Sequence, residues 1–241
     1  MKRAFTLFEL ILVIVVVGIL ATIIVPRLRP NHQLHNAADH FIETLRYTQH
    51  LAMIDDKYVA HIDLSSYTDP TRAQKSVRQW FKQWWTFWVW RRNGGTVATC
   101  NNKRGPGIAV FSDAPTDGAN NQYNHKPEIN EVAIDPKTGE RMVACIAGNT
   151  RYINDDYNFF ERYGIERIKI RNPSCGNTRA HLMFDELGRP HCTYPLDDAT
   201  TTPYARLVRA QIVYTLCADA ACTESVSICV EPITGYIHRC N

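Results

Sequence analysis

The chain has 241 residues, 45% of them apolar, and a formal net charge of +3. That length suits one globular domain with an appended segment, and the apolar share suffices for a real core. The small net charge argues against a dedicated nucleic-acid binder. Eight cysteines, Cys100, Cys145, Cys175, Cys192, Cys217, Cys222, Cys229 and Cys240, all follow residue 99. Their even number and clustering point to disulfides and an oxidising compartment. A reduced or zinc-binding set is the alternative, but there is no C-x-x-C pair, and structural zinc sites favour such short spacings.

In chain order, the first element is the apolar run from Phe5 to Val25, 21 residues with one charge. As a helix it is ~31 Å long at 1.5 Å per residue, against a hydrocarbon core about 30 Å thick. The length therefore predicts a single membrane span. Lys2 and Arg3 before it are opposed by Arg27 and Arg29 after it, so the positive-inside rule decides little. The distal cysteines place the C-terminal side outside. A cleaved signal peptide is the competing reading, but the run is long, ends in Val-Pro-Arg and has no A-x-A site.

Glu9 is the misfit. An acid at mid-membrane costs about 2.5–3.5 kcal/mol on insertion scales. Either it snorkels to the interface, or it has a positive partner.

The stretch "AFTLFEL" (Ala4–Leu10) resembles the type III signal of type IV pilins and type II secretion pseudopilins. The resemblance implies cleavage by a prepilin peptidase between Ala4 and Phe5, and N-methylation of Phe5. It also implies a role for Glu9 in assembly, through the Phe5 amine of a neighbouring subunit. Gly18 falls in the family's small-residue dip, and Pro26 matches its helix-kinking proline. The family usually has Gly before the cut, where this chain has Ala4. Losing Lys2 and Arg3 leaves 25 basic and 24 acidic residues, a charge of +1.

After Pro26, Ala37, Ala38, Phe41, Leu45, Thr48, Leu51 and Ala52 recur at three- and four-residue steps. That predicts an amphipathic helix to about residue 55, kinked at Pro26. Beyond residue 57 the period becomes two. Tyr58–Ser65, Gly164–Asn172, Ala180–Pro190, Ala205–Cys217, Ser225–Pro232 and Gly235–Cys240 read as strands of an antiparallel sheet, with a turn at Thr234-Gly235. The helix "AADHFIETLRYTQHLAM", the strand after it, "FDELGRP" and the closing "ITGYIHRC" resemble the minor pseudopilin group called H.

All five tryptophans lie in "WFKQWWTFWVW", Trp80 to Trp90. Strand alternation would put Trp80, Trp84, Trp88 and Trp90 on one face, with Trp85 and Phe87 on the other. A buried central strand packed on the long helix is the plainer reading. A stacking platform or interfacial anchor is the sharper one. Gly94 to Arg162 reads as a long loop-like insertion facing a partner.

Cys217 and Cys222 are symmetric about Asp219-Ala220, and a tight hairpin would set them at a close, non-hydrogen-bonded cross-strand pair. Cys229 and Cys240 are symmetric about Thr234-Gly235 at a hydrogen-bonded pair. Cys175 with Cys192 would bracket the "FDELGRP" turn, leaving Cys100 with Cys145. Eight cysteines permit 105 pairings, and turn symmetry supports only the first two.

Catalytic motifs are missing: there is no G-x-S-x-G, H-E-x-x-H or phosphate-binding glycine loop. His32, His35 and His40 read as helix residues. The acidic pairs Asp55-Asp56, Asp155-Asp156 and Asp197-Asp198 specify no calcium ligand pattern. No metal or cofactor is expected, and the chain is not expected to be an enzyme.

The expected fold is α+β: a long N-terminal helix, membrane-spanning in its first half, packed on an antiparallel β-sheet domain. The expected segments are a leader (1–4), a transmembrane half-helix (5–26), a periplasmic half-helix (27–56) and a disulfide-containing sheet domain (57–241). The expected role is a minor pilin or pseudopilin subunit of a type II secretion pseudopilus or a type IV pilus. It would be single-pass in the inner membrane, with its C-terminal domain periplasmic or extracellular in a filament. Its partners would be prepilin peptidase, other pilin or pseudopilin subunits, the inner membrane and the assembly platform. The alternative is a DNA-uptake or adhesion module, with nucleic acid contacted through Arg91, Arg92, Lys103 and Arg104.

Overall fold

The computed structural model describes residues 7–60, 63, 65, 68–90, 99–115, 123–146, 151–176, 180–194 and 202–240, with the backbone alone for 20–31 and 99. Helix α1 spans Leu7–Ile54, 48 residues. Its second half buries the stripe that the three-and-four spacing marks: Ala37, Ala38, Phe41, Leu45, Thr48 and Ala52 are buried, with Leu34 before them. Its front, residues 7–19, is not covered by the described domain. Every side chain from Leu7 to Ile19 is exposed.

The membrane-spanning half and the single-pass inner-membrane placement need correction. Among the described residues, no helix is long and apolar enough to cross a membrane. The expected kink residue Pro26 lies outside the described side chains, and the cleavage site at Ala4 and Phe5 lies outside the described residues.

The rest of the fold is α+β with antiparallel sheets. Helix α2 (Pro70–Arg78) starts at Asp69, whose Oδ1 accepts from the Arg72 N–H at 3.0 Å, with Pro70 in the first turn. That is the cap and proline arrangement helix starts favour. Strands β1 (Trp85–Trp90), β2 (Thr99–Cys100), β3 (Lys103–Arg104), β4 (Gly107–Ser112), β5 (Cys145–Ile146) and β6 (Arg151–Tyr152) precede helix α3 (Phe159–Tyr163). Strands β7 (Arg167–Arg171), β8 (His181–Phe184), β9 (Pro190–His191), β10 (Ile212–Cys217), β11 (Ser225–Val230) and β12 (Ile237–Arg239) follow. One four-stranded sheet has the order β4-β1-β8-β9, the other β12-β11-β10-β7. β2 pairs with β3, and β5 with β6.

Phe41 of α1 is where the two sheets meet the helix. Its ring lies 5.0 Å from Phe87 of β1, 5.2 Å from Tyr214 of β10 and 5.7 Å from Phe159 of α3, centroid to centroid. One contiguous core extends from these rings into both sheets.

Three sequence expectations change. Tyr58 and Val59 form no strand: the Asp56 carboxylate accepts from the Tyr58 N–H at 2.8 Å, and this local turn replaces ladder pairing. Residues 61, 62, 64, 66 and 67 of that stretch lie outside the described residues.

The tryptophan segment is only partly a strand. Trp80 opens a 3₁₀ turn, Trp80–Gln83, and Trp84 follows it before β1 begins at Trp85. Within β1 alternation puts Trp88 and Trp90 on one side and Trp85 and Phe87 on the other. Residues 94–162 are no plain loop either, because they supply β4, which pairs with β1 along its whole length, from Trp85↔Ser112 to Trp90↔Gly107.

Four disulfides are formed: Cys100–Cys145, Cys175–Cys192, Cys217–Cys222 and Cys229–Cys240. Turn symmetry singled out Cys217–Cys222 and Cys229–Cys240, while Cys175–Cys192 bracketed a turn and Cys100–Cys145 was left by elimination; in the first two the register differs. Cys217 stands opposite Ser225, so Cys222 lies in the loop rather than across the ladder. Cys229 stands opposite His238, two residues before Cys240.

Candidate functional site

Among the described residues, the longest exposed apolar stretch is the front of α1. Surface helices bury one stripe and solvate the other, whereas here Leu7, Phe8, Leu10, Ile11, Leu12 and their successors point outward on every side. Glu9 stands in the first turn, where an acid also complements the positive end of the helix dipole. Gly18 interrupts this surface with no atom within 4 Å of its Cβ position.

The far end of α1 is tied to the sheet domain by polar contacts. Arg46 donates to the Ile237 carbonyl at 2.8 Å. Gln49 Nε2 donates to the carbonyls of Gly188 (2.7 Å) and Gly235 (3.2 Å). Returning from β12, Arg239 reaches the His35 carbonyl (3.3 Å) and the Asp39 carboxylate (2.6 Å). Gly235 is required at its position: its φ is +67°, and a Cβ there would run into the Gly188 carbonyl oxygen.

A cleft of about 360 Å³ lies between α1 and the 135–138 turn. His40 forms part of it, stacked on Phe159 with ring centroids 5.4 Å apart. Its Nδ1 faces the Tyr163 hydroxyl at 3.1 Å. Burial, reinforced by the nearby Arg162 guanidinium, pulls its pKa down to about 4, so the ring is neutral at pH 7. Tyr157 donates to Asp135 at 2.8 Å. The other charges there are matched: Lys137 pairs with Glu43, and Arg162 with Asp156. Sequence reasoning missed this cleft, because only the fold joins residues 36–47 to 135–163.

A second polar cluster is sealed inside. Burial works against ionisation of Asp185, but hydrogen bonds from His191 (2.9 Å) and from the Arg189 backbone and side chain hold its carboxyl below its ordinary range. Trp84 packs on His191, centroids 4.7 Å apart. These groups shape the Glu186–Arg189 turn.

The basic residues named for nucleic acid are divided. Arg91 and Arg92 lie outside the described residues. Lys103 faces Asp155 (3.8 Å) and Glu161 (3.9 Å), and Arg104 pairs with Glu166 at 3.3 Å. Of the acidic pairs, Asp197-Asp198 lies outside the described residues, and among the described residues no cluster of three or more His, Cys, Asp or Glu side chains is placed to hold a metal ion. His32 is exposed on α1, and Nδ1 of His35 lies 3.1 Å from Arg239. The tryptophans are divided between buried and half-buried positions. Trp84 and Trp90 are buried, and Trp85 donates to Asp55 at 2.8 Å, closing the end of α1 onto β1.

No family model, curated protein or solved structure matches this chain.

Proposed function

We propose that this chain is a structural subunit of the pilin and pseudopilin kind, built into a filament through the front of α1 rather than acting as an enzyme. The observation that carries the reading is the helix surface exposed from Leu7 to Ile19. An apolar surface on all sides of a helix is stable only when other apolar groups surround it. Equivalent helices of neighbouring subunits supply such groups, and side-by-side packing would bury most of that surface.

Glu9 gives the packing a register. Among apolar helices a carboxylate is costly unless a positive group meets it. Cleavage after Ala4 by a prepilin peptidase would create that group, the Phe5 amine, one helical turn before Glu9. A neighbour displaced by four residues, about 6 Å, would bring its amine level with the acid. The sheet domain is then displayed outside the helix core, and an assembly platform adds subunits one at a time.

The test is incorporation of tagged chain into sheared filaments in cells that produce it, with the N-terminus read by mass spectrometry. Wild-type chain is expected to begin at N-methylated Phe5. Glu9→Leu is expected to be cleaved normally yet to fall at least tenfold in the filament fraction. Wild-type levels of the Glu9→Leu chain in filaments would sink the reading.

A further inference from the structure

The sheet β12-β11-β10-β7 turns one face to the core. Ile168 and Ile170 of β7 point there and are buried, while Arg167, Lys169 and Arg171 are exposed on the other face. Alternate residues of a strand stand about 6.6 Å apart, so the three charges form a straight row.

The register shows what lies beside that row. β10 sets Cys217, Thr215 and Val213 next to Arg167, Lys169 and Arg171, and β11 follows with Ser225, Ser227 and Cys229. The Thr215 and Ser227 hydroxyls bond one another at 3.0 Å. Across these three strands the face holds no carboxylate and no aromatic ring. Glu166, the acid next in sequence, pairs with Arg104 at 3.3 Å. Glu231, beyond the end of β11, accepts from Gln211 (2.7 Å) and His238 (2.9 Å). Among the described residues, none of the three cations has a carboxylate partner.

Such a row works against the fold. Its spacing is shorter than the screening length of about 8 Å at physiological salt, so like charges repel along the strand. β7 is an edge strand, and edge cations keep copies of a chain from pairing. That role accounts for a cation on β7 but not for one at every outward position.

We propose that this row is a docking surface for an extended acidic segment of another protein, with Asp or Glu at alternate positions. Charge complementarity selects an acidic partner. Spacing selects an extended one, because a strand with acids at every second residue repeats at the same distance of about 6.6 Å. The partner is not a second copy: no two acidic residues of this chain stand two positions apart. Single-stranded nucleic acid uses aromatic stacking platforms, which these three strands lack. Anionic lipid surfaces draw on clusters of roughly four to eight basic residues, against three here. The row belongs to the sheet domain and not to the front of α1, so its use is independent of the filament reading.

The experiment titrates purified full-length chain into a labelled peptide of alternating Glu and Thr, followed by fluorescence polarisation at low salt. Beside it run a peptide of the same composition with its glutamates in one block, a single-stranded DNA of matched charge, and vesicles containing phosphatidylglycerol. The alternating peptide is expected to bind about fivefold more tightly than the blocked one, and to be released as salt rises. Lys169→Glu, at an exposed position, is expected to weaken that binding about fivefold without lowering the melting temperature. Lys169→Thr keeps a strand-forming residue there and is expected to show a smaller loss in the same direction. Equal affinity for the two peptides overturns the proposal and leaves edge protection as the use of the row. No peptide binding at low salt overturns it too, as does tighter binding of the DNA or the vesicles. So does wild-type peptide binding by folded Lys169→Glu or Lys169→Thr chain.

Discussion

At the scale of single residues, two partly buried titratable groups give the molecule opposing responses to pH. His40 has its pKa lowered to about 4 by burial and by Arg162. Its neutral form is favoured in the fold, so its contribution is complete above pH 6.5 and is lost as pH falls towards 4. The shift corresponds to about 3 kcal/mol. Glu131 is raised to about 7, by burial and by the neighbouring Asp113 carboxylate, against hydrogen bonds from the Ala114 and Glu128 N–H groups. Its contribution is complete below about pH 4.5 and is lost as pH rises towards 7. Between those limits the two slopes oppose one another. Urea titrations at several pH values should find wild-type stability nearly flat from pH 4.5 to 6.5. His40→Gln should leave stability falling with pH across that window, and Glu131→Gln should leave it rising. A third residue prediction concerns Phe41, which touches both sheets. Phe41→Ala should cost about 3–5 kcal/mol, read as a drop in urea midpoint at unchanged slope.

Among elements, legibility in the sequence followed periodicity. The second half of α1 could be read because Ala37, Ala38, Phe41 and Leu45 repeat with the helix, and that stripe is the buried one. β10 and β11 could be read because one face is buried and the other is partly exposed. β4 could not: Gly107–Phe111 is buried on both faces, so it has no alternation to detect, and Gly105 and Pro106 before it resemble loop. Trp80 misled for the opposite reason, since its spacing from Trp84 suits a strand while the backbone there makes a 3₁₀ turn. In the candidate site, Glu9 was legible because a lone acid in an apolar run is a chemical anomaly in one dimension. The cleft at His40 was not, since its two sides, residues 36–47 and 135–163, meet only in the fold. The disulfides belong to this scale too. Chain-entropy reasoning gives a bridge over 45 residues, Cys100–Cys145, about 4 kcal/mol, and one over 5 residues, Cys217–Cys222, about 2 kcal/mol. Paired Cys→Ser replacements should therefore lower the melting temperature more for the first bridge than for the second, by thermal unfolding under non-reducing conditions.

For the whole molecule, α1 divides the work between two solvents. From Leu34 onward it is part of the domain's core, whereas Leu7–Ile19 meets no part of the described domain closely enough to be covered. A chain beginning at His32 should keep the domain's melting temperature within a few degrees and sediment as a monomer. Full-length chain should associate as its concentration rises. Equal sedimentation of both at high concentration would show that the apolar half does not drive association.

Phe41 also fixes an order in time. A ribosome makes this phenylalanine long before Phe87, Phe159 and Tyr214, the rings that enclose it. Until Tyr214 emerges the pocket for Phe41 lacks a wall, so the helix stripe from Ala37 to Ala52 waits with its apolar side unprotected while more than 150 residues are added. Low-order contacts cannot shelter it, and such waiting surfaces invite aggregation. A chain ending before Tyr214 should therefore pellet on centrifugation under conditions where the complete sheet domain stays in the supernatant.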